Sequence, residues 1–304
     1  MKCKSVYEFI IWQNCNNHCS FCFQRDKCVN LNVFQKQRSL NKILEFLNSD
    51  KYVKGSHILL VGGEIFDNTD GLWELKQDSV ISVWCDFIDA ILNKMCNGDI
   101  DLLYVNTNLL YTDFRLLNWL LVRLAQWNLF DRFKFTTSYD LEGRFHTKER
   151  EQLFLDNLKK FKAPDVVSKD MNIVVNTILT KKTCERILDG SFNPKEFCEE
   201  YKCDINLIPY IIYDEKLSAE PGIIFKTLIK TDSLMPGYFK KYWHNLALDQ
   251  DKLLYKYNPT TNEYEYCSCE KSECGHSVNF KKYAKNGHCF VCDLIEIASF
   301  MAQG

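Results

Sequence analysis

The sequence predicts an α/β fold with a parallel sheet, on three observations. Six short apolar runs of strand length alternate with longer segments whose apolar residues recur at helical spacing. The runs close on polar or glycine residues, the edge at which parallel α/β folds carry their chemistry. Beyond about residue 215 the alternation stops and cysteines become dense.

The elements follow in order. Val6 to Trp12 reads as the first strand, and Ser39 to Leu47 as a helix with Leu40, Ile43, Leu44 and Leu47 on one face. Ile58 to Val61 is a second strand. Asp78 to Met95 is a long amphipathic helix carrying Trp84, Phe87, Ile88, Ile91 and Leu92 at helical spacing. Leu102 to Val105 is a third strand, followed by a helix over Phe114 to Trp127. Phe133 to Thr136 is the fourth, followed by a helix over Glu149 to Phe161. Met171 to Leu179 is the fifth, and a helix over Pro194 to Tyr201 leads to the sixth, Ile205 to Pro209. Strands that alternate with helices pair in parallel through right-handed crossovers. Six such units are too few to close an eight-fold barrel.

Composition narrows the class. With 304 residues, 46% apolar and 26% charged, the chain can bury a full core and is expected to form one large domain, residues 1–214, plus a smaller one, 215–304. A net charge of −2 does not describe a surface built for bulk phosphate binding. No apolar run is long enough for a transmembrane helix, and the first residues lack the apolar core of a signal peptide, so the expectation is a cytoplasmic protein without a membrane partner. Fifteen cysteines grouped at metal-like spacings fit that reducing compartment better than disulfides. Cys3, Cys85, Cys96, Cys184, Cys198 and Cys203 stand alone and read as small buried side chains.

The chemistry concentrates first in Cys15-Asn16-Asn17-His18-Cys19-Ser20-Phe21-Cys22-Phe23, directly after the first strand. Cubane iron–sulfur clusters are normally held by four thiolates, so a loop that offers three leaves one iron open. A closed zinc site, completed by Cys28 or His18, is the alternative for the loop alone. The second strand then runs straight into Gly62-Gly63-Glu64. Glycines let the backbone approach a ligand closely, and a carboxylate suits an ammonium partner. The C-x3-C-x2-C loop and this tripeptide, in order and each closing a strand, resemble the two signature motifs of the radical S-adenosylmethionine (SAM) superfamily.

That resemblance implies an open, partial (β/α)6 TIM-like barrel whose [4Fe-4S] cluster on Cys15, Cys19 and Cys22 chelates SAM. Reduction by a donor such as flavodoxin or ferredoxin would yield a 5′-deoxyadenosyl radical that abstracts hydrogen from a substrate. Gly62, Gly63 and Glu64 would hold the SAM amino group. Asn106, Asn108, Ser138 and Asn176, at later strand ends, would reach its ribose or carboxylate. By themselves Asn106 to Asn108, and Ser138 with Asp140, also read as turn and helix-cap residues. Ser138-x-Asp140-x-x-Gly143-Arg144 is similar to the S-x-D-G region of peptide-modifying members, with the glycine displaced by two positions. It favours a peptide substrate over a nucleotide, although the cysteine loop itself resembles that of viperin-like, nucleotide-modifying enzymes.

The tail repeats the metal theme. Cys267, Cys269, Cys274, Cys289 and Cys292, with His276 and His288, fall within 26 residues. Zinc would take four of these thiolates, or three with His276, and an auxiliary [4Fe-4S] cluster would take four. Cys269, Cys274, Cys289 and Cys292 are the expected set, with Cys267 the spare. The spacing resembles the SPASM or shorter twitch extensions, with fewer cysteines than the full form. A helix is expected over Tyr238 to Leu254, and Phe280 to Lys285 reads as a solvated basic face. A non-catalytic metal-binding module is the reading that leaves the Gly-Gly-Glu and the polar strand ends without a task.

Overall fold

Apolar residues buried at every second position of each central strand build the sheet. In the computed structural model, Phe133 and Phe135 are buried while Lys134 and Thr136, which alternate with them, are not, and Ile173 and Val175 repeat the pattern one strand away. The structure describes residues 5–20, 22, 31–66, 80–140, 142–161, 172–209, 219, 221–238, 255–258, 263–266, 269–270 and 273–274.

Strands β1 (Val6–Ile10), β2 (Ser56–Val61), β3 (Ile100–Asn106), β4 (Phe133–Ser138), β5 (Asn172–Leu179) and β6 (Asp204–Pro209) form one six-stranded sheet in sequential order. The pairs from β1 to β5 are parallel, in registers that include Phe9 opposite Leu60, Asn106 opposite Thr136 and Ser138 opposite Asn176. Helices α1 (Val33–Leu47), α2 (Val80–Cys96), α3 (Arg115–Gln126) and α4 (Lys148–Phe161) make the successive crossovers. A sequential parallel order with crossovers of one hand places its helices on one face. The burial pattern agrees: Tyr7 is buried on β1, while Val6 and Ile10 on its other face are 40% and 45% exposed.

Helix α1 begins six residues before the expected Ser39. Asn32 caps it, its Oδ1 accepting from the Gln35 amide at 3.1 Å while Gln35 Oε1 accepts from the Asn32 amide at 2.9 Å. The polar first turns carry no apolar stripe, so periodicity misses them. Lys36 nevertheless is buried, its ammonium 4.9 Å from the centre of the Trp12 ring. The Arg132 guanidinium, just before β4, donates to the carbonyls of Met95 (2.7 Å), Asp101 (2.9 Å) and Ile100, and so closes the end of α2 onto β3.

The chain divides into two compact units, residues 1–177 with 198–205, and residues 178–197 with 206–304. The expected boundary at 214/215 lies outside the described residues. The second unit holds α5 (Lys181–Leu188), α7 (Pro221–Leu234) and two short antiparallel hairpins. Helix α6 (Pro194–Tyr201) spans the division. Helix α5 is not expected from the sequence, because among its eight residues only Thr183, Cys184 and Ile187 are buried. Thr180 caps it through the Thr183 amide. Beyond Tyr238, the helix expected to Leu254 falls outside the described residues. The first hairpin pairs β7 (Tyr255–Asn258) with β8 (Glu263–Tyr266), and the second pairs β9 (Cys269–Glu270) with β10 (Glu273–Cys274). Among the described residues no helix is long and apolar enough to cross a membrane.

Phe135 is the test of the sheet-to-helix core. It is 1% exposed, with its ring centre 4.7 Å from that of Phe133 and 6.0 Å from that of Phe66. Phe135→Ala should lower unfolding stability by about 3–5 kcal/mol, read as a shifted urea midpoint; a loss below about 1 kcal/mol would mean that this layer is not closely packed.

Candidate functional site

The residues leading into the first motif meet the second, distant in sequence, as an extension of the β1–β2 ladder. Past Ile10 the pairing continues: the Ile11 amide donates to Val61 O at 2.8 Å, the Gly63 amide to Trp12 O at 2.8 Å, and the Glu64 amide to Asn14 O at 2.7 Å. The two glycines are required here by the neighbouring chain. A Cβ on Gly62 would stand 2.6 Å from Trp12 O, and one on Gly63 1.8 Å from Asn14 O. The sequence expects close approach to a ligand at these glycines; what crowds them is the backbone that leads into the cysteine loop.

Glu64 is 1% exposed, and its carboxylate collects donors from two strand ends. Oε1 accepts from the Phe66 amide at 2.9 Å, Oε2 accepts from the Asn108 amide, and the Thr107 hydroxyl lies 3.0 and 3.1 Å from the two oxygens. A carboxylate can be kept in so dry a place only with such partners. Its carbonyl accepts from the Trp12 indole at 3.1 Å. The residue expected to face a ligand ammonium therefore also joins the ends of β1, β2 and β3.

The cysteine loop is held from both sides. On one side the Asn108 side-chain amide donates to Asn16 Oδ1 at 2.7 Å and lies 3.6 Å from Cys15 Sγ, while Asn16 donates to Leu110 O at 2.9 Å. On the other, the segment after β4 docks along it. The Ser20 amide donates to Gly143 O at 2.8 Å, His146 Nε2 bonds His18 O at 2.8 Å, and Arg150 donates to Asn16 O and Asn17 Oδ1 at 3.0 and 3.2 Å. The Asn17 side-chain amide reaches both Cys19 Sγ, at 3.1 Å, and Arg144 O, at 3.3 Å. Beneath the loop, Arg144 Nε donates to Asp140 Oδ2 at 2.7 Å, the pair being almost wholly buried.

Cys15, Cys19 and Cys22 are free thiols. Burial pushes Cys15 up to about 11, against the bonds from Asn17 and Asn108 and with the Glu64 charge adding to the rise. Burial also pushes Cys19 up, and the Arg144 guanidinium opposes it. Among the described residues no three Cys, His, Asp or Glu side chains gather closely enough to ligate one ion. Three free thiols on one loop, two of them with amide donors at sulfur and a buried cation nearby, form a donor set that fits a cluster.

The later strand-end residues come together on the open face. Asn106 lies opposite Thr136 and bonds its hydroxyl, and Ser138 lies opposite Asn176. All four are half-buried. Asn108 instead turns to the cysteine loop. Thr136 and Arg150 escape sequence reasoning, while Thr107 and Arg144 enter it only as members of the Asn106–Asn108 and Ser138–Arg144 segments, with no site role of their own. In the tail, Cys269 and Cys274 stand directly opposite each other in the β9–β10 hairpin. Cys267, His276, Cys289 and Cys292 lie outside the described residues. Compared with known proteins, the chain matches no family model and no curated sequence.

Two expectations follow. Gly63→Ala should disrupt the β1–β2 extension and lower the unfolding midpoint, because backbone rather than a flexible side chain must move; an unchanged midpoint would refute the close approach. In the metal-free protein, alkylation of Cys15 should still rise about tenfold per pH unit between roughly pH 8 and pH 10, since only the thiolate reacts. The raised value also means that the fold favours the neutral thiol, so this contribution to stability is full below the ordinary value of 9.0 and is lost as pH rises through about 11. A rate that levels off near pH 9 would contradict the burial of Cys15.

Proposed function

We propose that this chain is a radical SAM enzyme on a partial (β/α)6 barrel. The observation that carries the reading is the junction of the two motifs: Trp12 and Asn14, which lead into the three-cysteine loop, accept hydrogen bonds from Gly63 and Glu64 past the C-terminal ends of adjacent parallel strands. In parallel α/β folds that edge is where chemistry takes place. The sequential strand order, with one face left partly open, supports the barrel over a doubly wound sheet.

Cys15, Cys19 and Cys22 would hold a [4Fe-4S] cluster, which when bound supplies the electron that cleaves SAM to a 5′-deoxyadenosyl radical. The chain's own residues have distinct tasks. The Asn17 and Asn108 amides point N–H donors at sulfur and offset thiolate charge. The buried negative charge of Glu64 attracts the SAM amino group to the Gly62–Glu64 turn. Asn106, Ser138 and Asn176, with Thr136, offer hydroxyls and amides on the open face to the ribose and carboxylate. The barrel keeps water from the radical while the substrate is placed.

For the substrate we propose a peptide or protein side chain, and for the reductant a flavodoxin- or ferredoxin-type protein. The Ser138–Arg144 segment supports the former, as does the resemblance of the tail's cysteine spacing to the SPASM or twitch extensions of peptide-modifying members. Cys15, Cys19 and Cys22 replaced together by Ala should, after anaerobic reconstitution with iron and sulfide, lose one cubane's worth of iron. With dithionite the variant should form no 5′-deoxyadenosine. Formation of that product by the triple variant would overturn the proposal.

A further inference from the structure

Beneath the cysteine loop lies a buried pair that the proposed chemistry has not yet used. Asp140 is 0% exposed and the Arg144 side chain 12%, with Nε and Oδ2 2.7 Å apart. The pair is fixed to the loop through backbone. Arg144 O accepts from the Asn17 amide that also donates to Cys19 Sγ, and Gly143 O accepts from the Ser20 amide. The guanidinium charge is felt at Cys19 and Cys15. A lone buried charge is expensive, so Asp140 is the partner that lets Arg144 stand there.

We infer that Arg144 and Asp140 together set the reduction potential of the cluster carried by Cys15, Cys19 and Cys22, with Arg144 as a positioning residue that favours the reduced state and Asp140 as its counterweight. The inference rests on the proposed function. Reduction adds one electron, and in a water-poor site a fixed neighbouring cation stabilises the added negative charge while a fixed anion opposes it. The two members of one ion pair therefore act on the potential with opposite sign. A pair that served only to hold the loop would not: breaking it from either side would loosen the same contact.

The test is an EPR-monitored redox titration of the full-length protein after anaerobic reconstitution, with iron counted beforehand. Arg144→Gln removes the cation and should lower the midpoint. Asp140→Asn removes the anion, keeps an oxygen for Arg144 Nε, and should raise it. Each shift is expected to correspond to about a tenfold change in the reduction equilibrium, roughly 59 mV for one electron. Arg144→Lys keeps the charge and should stay near the wild-type midpoint; with Asp140→Asn it carries the test if Arg144→Gln fails to hold a cluster. Midpoints of the Gln and Asn variants that move the same way, or not at all, in proteins with wild-type iron content overturn this inference alone, as does a Lys variant that falls as far as Gln. A wild-type chain that takes up no cluster overturns the proposed function along with it.

Discussion

The buried carboxylate of Glu64 is the constraint on which the first three strand ends depend. Water is excluded from it, so its oxygens must be met by protein donors, and these come from Phe66 on its own turn and from Thr107 and Asn108 after β3. Each donor is backbone or a short side chain, which leaves little freedom in how β2 and β3 end. The glycines before it let the same turn press onto Trp12 and Asn14 with no side chain between them. One acidic residue and two missing Cβ atoms thus bring three strand ends into a single register.

The cysteine loop inherits that order. Loops that carry chemistry are ordinarily mobile, but this one is pinned through Asn14, Asn16 and Asn17. An asparagine side chain both donates and accepts. Asn14 takes the Leu31 amide, Asn16 bonds Asn108 and Leu110, and Asn17 bonds Cys19, Arg144 and Arg150. Order imposed from outside leaves the thiols free for a ligand, whereas order imposed by packing would have consumed them. Their raised pKa values are the consequence: a loop dry enough to be held this way keeps Cys15 and Cys19 neutral, and a metal, as proposed, would have to displace their protons.

Polar burial also explains which parts of the fold escape a reading by periodicity. Helix α1 starts on a capping box and a buried lysine, α5 on a threonine cap with a short apolar face, and the end of α2 is closed by Arg132. In each case hydrogen bonds supply what apolar spacing does not. Where the apolar stripe is long, as in Trp84 to Met95 of α2 or Leu116 to Leu124 of α3, expectation and structure agree to within a few residues.

Six strands, their order along the chain, the helices of long apolar stripe and the motifs at the first two strand ends were determined by sequence alone. Each of these is a local pattern, visible in the spacing of apolar side chains or in residues adjacent along the chain. What brings Gly63 against Asn14, Glu64 under Asn108, and Arg144 and Arg150 onto the cysteine loop was decided only by tertiary structure. Those partners lie between 44 and 134 positions apart, and nothing in either segment alone names the other. The burial that raises Cys15 and the charge of Arg144 that opposes the rise at Cys19 belong to the same class. They are properties of a site from which water has been removed, and only packing of the separate segments removes it.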